Sequence, residues 1–195
     1  MSASAPPIKR RADAAQNRAL LLQAAEEVFT ELGVQAPLEA VSKRAGVGRA
    51  TLFRNFPDRQ TLVLALLDRG VDNIAAEAAR LEGAPDALLQ LLHHVLERVM
   101  VRAPLVEYWQ TVGRGRPEIE AAVTRLVSIF EPIVRRAVAE RRCRADLVPG
   151  DILVLLTLFG ACAAPLGQRM ALSERIWNFA LDIVQPATPR RARKA

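Results

Sequence analysis

The sequence predicts an all-α protein of about nine helices. Alanine, leucine and arginine, all good helix formers, dominate its 195 residues. Apolar residues recur at intervals of three and four, and no long stretch alternates apolar with polar as a half-buried strand would. At 51% the apolar share is large enough to fill a core, and glycine and proline are too few for general disorder.

Each element follows from local signals. Residues 1–12 are polar, basic and proline-containing, and read as a flexible arm. Asp13 and Gln16 have the spacing of a capping box, and Leu21, Leu22, Ala25, Val28, Phe29 and Leu32 form a helical stripe that ends at Gly33. Pro37 suits the first turn of a second helix, which stops at Gly46. A short third helix spans Arg49 to Asn55. Asp58 caps a long fourth helix reaching Glu82. A fifth runs from Asp86 to Arg102 and a sixth from Leu105 to Val112, followed by a Gly-Arg-Gly-Arg-Pro loop. The seventh is a strong amphipath from Ile119 to Val138, with Glu118 and Glu120 at its start, arginines near its end, and Pro132 inside, where a bend is expected. The eighth, Asp151 to Ala164, is apolar almost all round, and the ninth covers Leu172 to Val184.

The helices group into a helix-turn-helix head, residues 13–56, and a helical body, residues 57–186, with a basic, disordered tail over 187–195. The fourth helix is expected to join head and body rigidly. The most apolar run, Ile152 to Leu166, is shorter than the roughly 20 residues of a membrane span, and the N-terminus lacks the apolar core of a signal peptide. A cytoplasmic protein without membrane contact is expected. Cys143 and Cys162 lack the spacing of a zinc site or a redox pair, so neither metal nor cofactor is expected.

A formal net charge of +6 suits a polyanionic partner, although an arginine-rich genome produces the same surplus. The segment Leu38 to Phe56 favours the polyanion, with an ordinary solvated helix turn as the alternative. Two short helices flank a tight turn at Gly46 and Val47, with Val41, Ala45, Val47 and Leu52 placed to pack them together. That is the layout of a helix-turn-helix, whose second helix enters the major groove of double-stranded DNA. Arg49, Thr51, Arg54 and Asn55 on that helix are side chains that read guanine, thymine, adenine and phosphate, and Lys43 stands on the helix before it. Lys9, Arg10 and Arg11 either reach a minor groove or belong to an untethered tail.

The stretch from Leu22 to Leu64 resembles the DNA-binding domain of TetR-family repressors. The resemblance is carried by AAEEVFTELG (24–33), AVSKRAGVGRATLFRNF (40–56) and DRQTLVLAL (58–66). It implies that Gly48 and Arg49 meet DNA at the start of the recognition helix, that Thr51 contacts phosphate or base, and that Arg54 and Asn55 set operator choice. Phe53 stands where the family has tyrosine, so a hydroxyl contact to phosphate is missing. Arg59 replaces a lysine and retains the charge for phosphate. Ala36 and Pro37 replace a Ser/Thr pair, which removes a capping hydroxyl.

The resemblance further implies a homodimer on a roughly palindromic operator, built from helices eight and nine, and a small-molecule effector held in the body. For the interface the candidates are Leu156, Phe159, Gly160, Ala163, Trp177, Ala180 and Leu181. A monomer burying helix eight centrally is the alternative. For a largely apolar effector, His93, Leu96, Met100, Tyr108, Trp109 and Phe130 are the candidate lining, with ordinary core as the alternative. His94, sharing a face with Gln90 and Glu97, is expected at the surface. No phosphate loop, nucleophile elbow or triad pattern occurs, so an enzyme is not expected. The reading is a ligand-released repressor; a constitutive DNA-binding factor and a helical carrier remain as alternatives.

Overall fold

The computed structural model describes residues 7–112, 115–160 and 166–186. Among these residues the chain forms nine α-helices and no strand: α1 (Pro7–Leu32), α2 (Leu38–Arg44), α3 (Arg49–Asn55), α4 (Arg59–Arg80), α5 (Ala87–Val101), α6 (Ala103–Val112), α7 (Pro117–Ala139), α8 (Pro149–Gly160) and α9 (Leu166–Val184). Two helices extend well beyond their expected starts. Helix α1 is already formed at Pro7, the first described residue, so Lys9, Arg10 and Arg11 are helical and Asp13 lies inside the helix. The Ala/Lys/Arg-rich sequence around Asp13 favours helix, so the helix runs through Asp13 without needing it as a cap. Helix α9 is already formed at Leu166, the first described residue after 165, so Ser173 lies within it. Helix α7 runs through Pro132 as one element. Residues 161–165, which hold the expected end of the eighth helix, lie outside the described residues, as does the tail over 187–195.

The chain divides into two compact units, Met1–Arg69 and Gly70–Ala195. In the first, α1 buries Leu21, Ala25, Val28 and Phe29, a spacing that keeps one face of a helix inward. Val41 from α2, Leu52 from α3 and Phe56 complete the packing, all fully buried. The first turns of α4 bury Leu62, Val63 and Leu66, so this unit extends past Phe56, where the sequence places the end of the head. Each such side chain contributes about 1.5–3 kcal/mol by leaving water.

In the second unit α5 is central. Leu88, Leu91, Leu92, Val95 and Leu96 face Phe130, Val134 and Ala137 of α7, Ile152, Leu155 and Leu156 of α8, and Ala180 and Val184 of α9. Gly160 permits a close approach: a Cβ there would stand 2.7 Å from Val106 Cγ1 and 3.2 Å from Val99 Cγ1. After α7 the chain turns through Arg141 at φ 56°, a left-handed conformation that ordinarily falls to glycine. Cys143 is buried just beyond, and burial pushes its thiol pKa up. Among the described residues, no helix is long and apolar enough to cross a membrane, and no group of three His, Cys, Asp or Glu side chains could hold a metal ion.

Candidate nucleic-acid interface

The turn between α2 and α3 is set by Gly46. Its φ of +67° is left-handed, and the amides of Gly46 and Val47 donate to the carbonyls of Lys43 and Ser42 at 3.2 and 3.1 Å. This pair of bonds satisfies the last carbonyls of α2 and redirects the chain within a few residues. Gly48, extended at φ −67° and ψ 147°, then starts α3, and its carbonyl accepts from the amides of Thr51 and Leu52. Leu52 is fully buried with Val41, while Ala45 and Val47 are half-buried, so the recognition helix is anchored along one face. At the start of α2, Pro37 supplies no side-chain cap, in keeping with the missing hydroxyl.

The opposite face of α3 carries the chemistry. Lys43, Gly48, Arg49 and Arg54 are exposed, and Thr51, Phe53 and Asn55 are half-buried beside them. Several of these groups bind one another. Arg54 Nη2 donates to Thr51 Oγ1 at 3.0 Å, and Asn55 Nδ2 donates to the Thr51 carbonyl at 2.8 Å. Arg49 Nη1 lies 3.1 Å from Glu39 Oε1. Arg59 is placed differently. Its Nη1 donates to the carbonyl of Val34 and its guanidinium lies 5.7 Å from the centre of the Phe29 ring, so it ties α4 to α1 instead of pointing wholly outward.

Sequence reasoning passed over one structural support of this face and anticipated a second. Arg44 forms a fork with both oxygens of Glu31, at 2.8 and 3.1 Å, and reaches Glu27 at 3.2 Å, joining α2 to α1. Its hydrogen bond to Glu31 raises the arginine pKa and lowers the carboxylate pKa, so both remain charged. At the start of α4, Asp58 Oδ1 accepts from the amide and the hydroxyl of Thr61 at 2.7 and 2.8 Å. These bonds hold the Asp58 carboxyl below the usual carboxylate range.

The second unit redistributes the residues proposed for effector and dimer. Leu96, Met100 and Phe130 are buried core, and Tyr108 and Trp109 are half-buried. His93 is exposed: its Nδ1 lies 3.6 Å from Glu97 Oε2, and its ring meets that of Trp177 edge-on with centroids 4.7 Å apart. His94, expected at the surface, is the more covered of the two, because the buried stripe of α5 lies one residue off the assumed face. A cavity of about 390 Å³ lies elsewhere in this unit. It is walled by Ala75, Ala78, Ile129, Pro132 and Ile133, with Glu82, Ser128 and Arg136 as its polar groups.

Among the interface candidates, Leu156, Gly160 and Ala180 are buried within the subunit, Phe159 and Trp177 pack against its core, and Leu181 is half-buried. Ala163 lies outside the described residues. The exposed apolar side chains of these helices are others: Val154 and Leu158 on α8, 56% and 62% accessible, and Phe179 and Ile183 on α9, 53% and 37%. Each pair is one helical turn apart and shares a face.

Residues 21–66 match the pattern described as "Bacterial regulatory proteins, tetR family". The transcriptional activator FasR of Mycolicibacterium smegmatis is 32% identical over 91 residues, covering 40% of this chain and 42% of its own. The transcriptional repressor BepR of Brucella suis is 33% identical over 99 residues, 49% of this chain and 44% of its own. The chain thus matches less than half the length of these curated relatives. Over most of its length it is similar to the crystal structure of a TetR transcription regulatory protein from Mycobacterium vanbaalenii, with TM-score 0.66, 29% identity, and coverage of 90% of this chain and 98% of that one. A TetR transcriptional regulator from Streptomyces coelicolor superimposes with TM-score 0.69 at 24% identity, covering 88% and 99%, a likeness of fold.

Proposed function

Because the chain belongs to the TetR family of bacterial regulatory proteins, which are regulators and not enzymes, we propose that it binds a roughly palindromic operator in double-stranded DNA as a homodimer and represses transcription until a small, largely apolar ligand releases it. The observation that carries this reading is the recognition helix, anchored inward by Leu52, with Arg49 and Arg54 exposed on its outer face. Arginine at such a position reads guanine edges or binds phosphate. Lys43 adds a positive charge from α2. The protein acts in the cytoplasm, where its DNA is.

The homodimer is supported by the exposed faces of α8 and α9. Val154, Leu158, Phe179 and Ile183 are a cost in water that a second copy removes. Two copies related by a twofold axis then present recognition helices to major grooves about 34–36 Å apart. Effector control is supported by the cavity of about 390 Å³, whose apolar walls and few polar groups suit a small, largely apolar ligand.

Selection from a pool of random duplexes tests the reading: the chain should enrich an inverted repeat, and enrichment of no sequence would overturn it. Transcription from a promoter carrying that repeat then tests the sign. Less transcript supports repression. More transcript supports activation, the second reading, which the similarity to the activator FasR favours.

A further inference from the structure

Three side chains from two helices meet at the start of α3. Glu39 Oε1 on α2 lies 3.1 Å from Arg49 Nη1, and the Arg49 guanidinium carbon stands 5.4 Å from the centre of the Phe53 ring. Phe53 follows Arg49 by one helical turn, so the two share a face. The ion pair is wet, with the Arg49 and Glu39 side chains 69% and 50% accessible. Such pairs contribute about 0–1 kcal/mol, so holding the fold together does not account for this one.

Its sign is the informative part. The face that carries Lys43, Arg49 and Arg54 is suited to a polyanion, and a carboxylate among those cations opposes every phosphate that approaches. A surface built only for phosphate affinity would gain from a neutral residue at 39. The carboxylate supplies direction instead. With Nη1 engaged by Glu39 and the guanidinium against Phe53, the Nε/Nη2 edge of Arg49 is the fork left to match guanine O6 and N7.

We propose that Glu39 is a positioning residue for sequence readout, which holds Arg49 for a base edge and withholds it from phosphate. This rests on the DNA-binding reading above. Its two effects have opposite signs: Glu39 lowers affinity for DNA in general and raises preference for the operator.

The test uses the full chain, a duplex selected by the wild-type protein, and a shuffled duplex of the same composition. Wild type, Glu39→Gln, Arg49→Ala and the double variant are titrated by fluorescence anisotropy over a range of salt. Circular dichroism melts check each fold. Glu39→Gln should bind the shuffled duplex several-fold more tightly, with its salt slope steeper by about one. Its preference for the selected duplex should fall about fivefold or more. In the Arg49→Ala background the same substitution should leave that preference unchanged, because its effect passes through Arg49. Unchanged preference in Glu39→Gln, or an equal fall with and without Arg49, overturns the proposal. A wild-type protein that selects no duplex overturns the DNA-binding reading and this inference together. One that selects a duplex, with a Glu39→Gln variant that keeps the same preference, overturns this inference alone.

Discussion

Arg54 Nη2 donates a hydrogen bond to Thr51 Oγ1 at 3.0 Å, so two side chains assigned to separate DNA contacts are partners before any DNA arrives. The two therefore act as a unit. Thr51→Ala and Arg54→Ala should each weaken operator binding, and the double variant should lose less than the sum. A double-mutant cycle by anisotropy should give a coupling of about 0.5 kcal/mol or more. Strict additivity would show that the contact has no part in recognition.

The apolar faces of α8 and α9 give a second prediction. Leu158 and Phe179 are exposed in the subunit, so Leu158→Glu and Phe179→Glu should leave its helicity intact. Sedimentation equilibrium should find the wild type dimeric and the double variant monomeric. Its affinity for the full inverted repeat should drop toward that of a half-site. A variant that remains dimeric would place the interface elsewhere.

Asp58 gives a prediction in pH. Its carboxylate caps α4 through Thr61, and the bonds from the Thr61 amide and hydroxyl lower its pKa in the folded state. A lowered carboxylate pKa stabilises the fold above the unfolded value and ceases to do so as pH falls through the folded one. The contribution should therefore be complete above about pH 4 and fade below it. Asp58→Ala should cost about 1 kcal/mol at neutral pH, the usual worth of such a cap. Urea titrations of both proteins should converge as the solution is acidified; a constant difference would show that the charged cap is not the cause.

Arg141 gives a prediction of stabilisation. It occupies a left-handed position at φ 56°, and the amides of Arg141 and Arg142 close the end of α7 on the Val138 and Ala137 carbonyls at 3.0 and 2.9 Å. A side chain in this conformation costs roughly 1–2 kcal/mol that glycine does not incur. Glycine gains some unfolded-state entropy in exchange, so Arg141→Gly should stabilise by about 0.5–1 kcal/mol in thermal melts. A lower melting temperature would mean that the arginine makes a compensating contact.

Local chemistry made the head legible in the sequence. Gly33 and Gly46 take the positive φ their positions imply, and the stripe from Leu21 to Phe29 is buried as its spacing requires. The start of α1 was less legible because Asp13 and Gln16 have the spacing of a capping box, while the residues around them favour helix and the helix runs through them. Arg59 shows another limit: no local pattern separates an arginine facing phosphate from one folded onto Val34 and Phe29. In the body the limit is periodicity itself. Helix α8 is apolar all round, so nothing in its spacing marks Leu156 as inward and Leu158 as outward. On α5 the apolar stripe is wide, and a shift of one residue exchanges His93 for His94.

The most direct measurement of the central claim is the affinity of an Arg49→Ala/Arg54→Ala variant for the duplex the wild-type protein selects. Each arginine at a base edge is worth about 1–3 kcal/mol, so the variant should bind at least roughly 30-fold more weakly. Its thermal melt should match the wild type, because both side chains are exposed. An unchanged affinity in a folded variant would contradict recognition of DNA through α3.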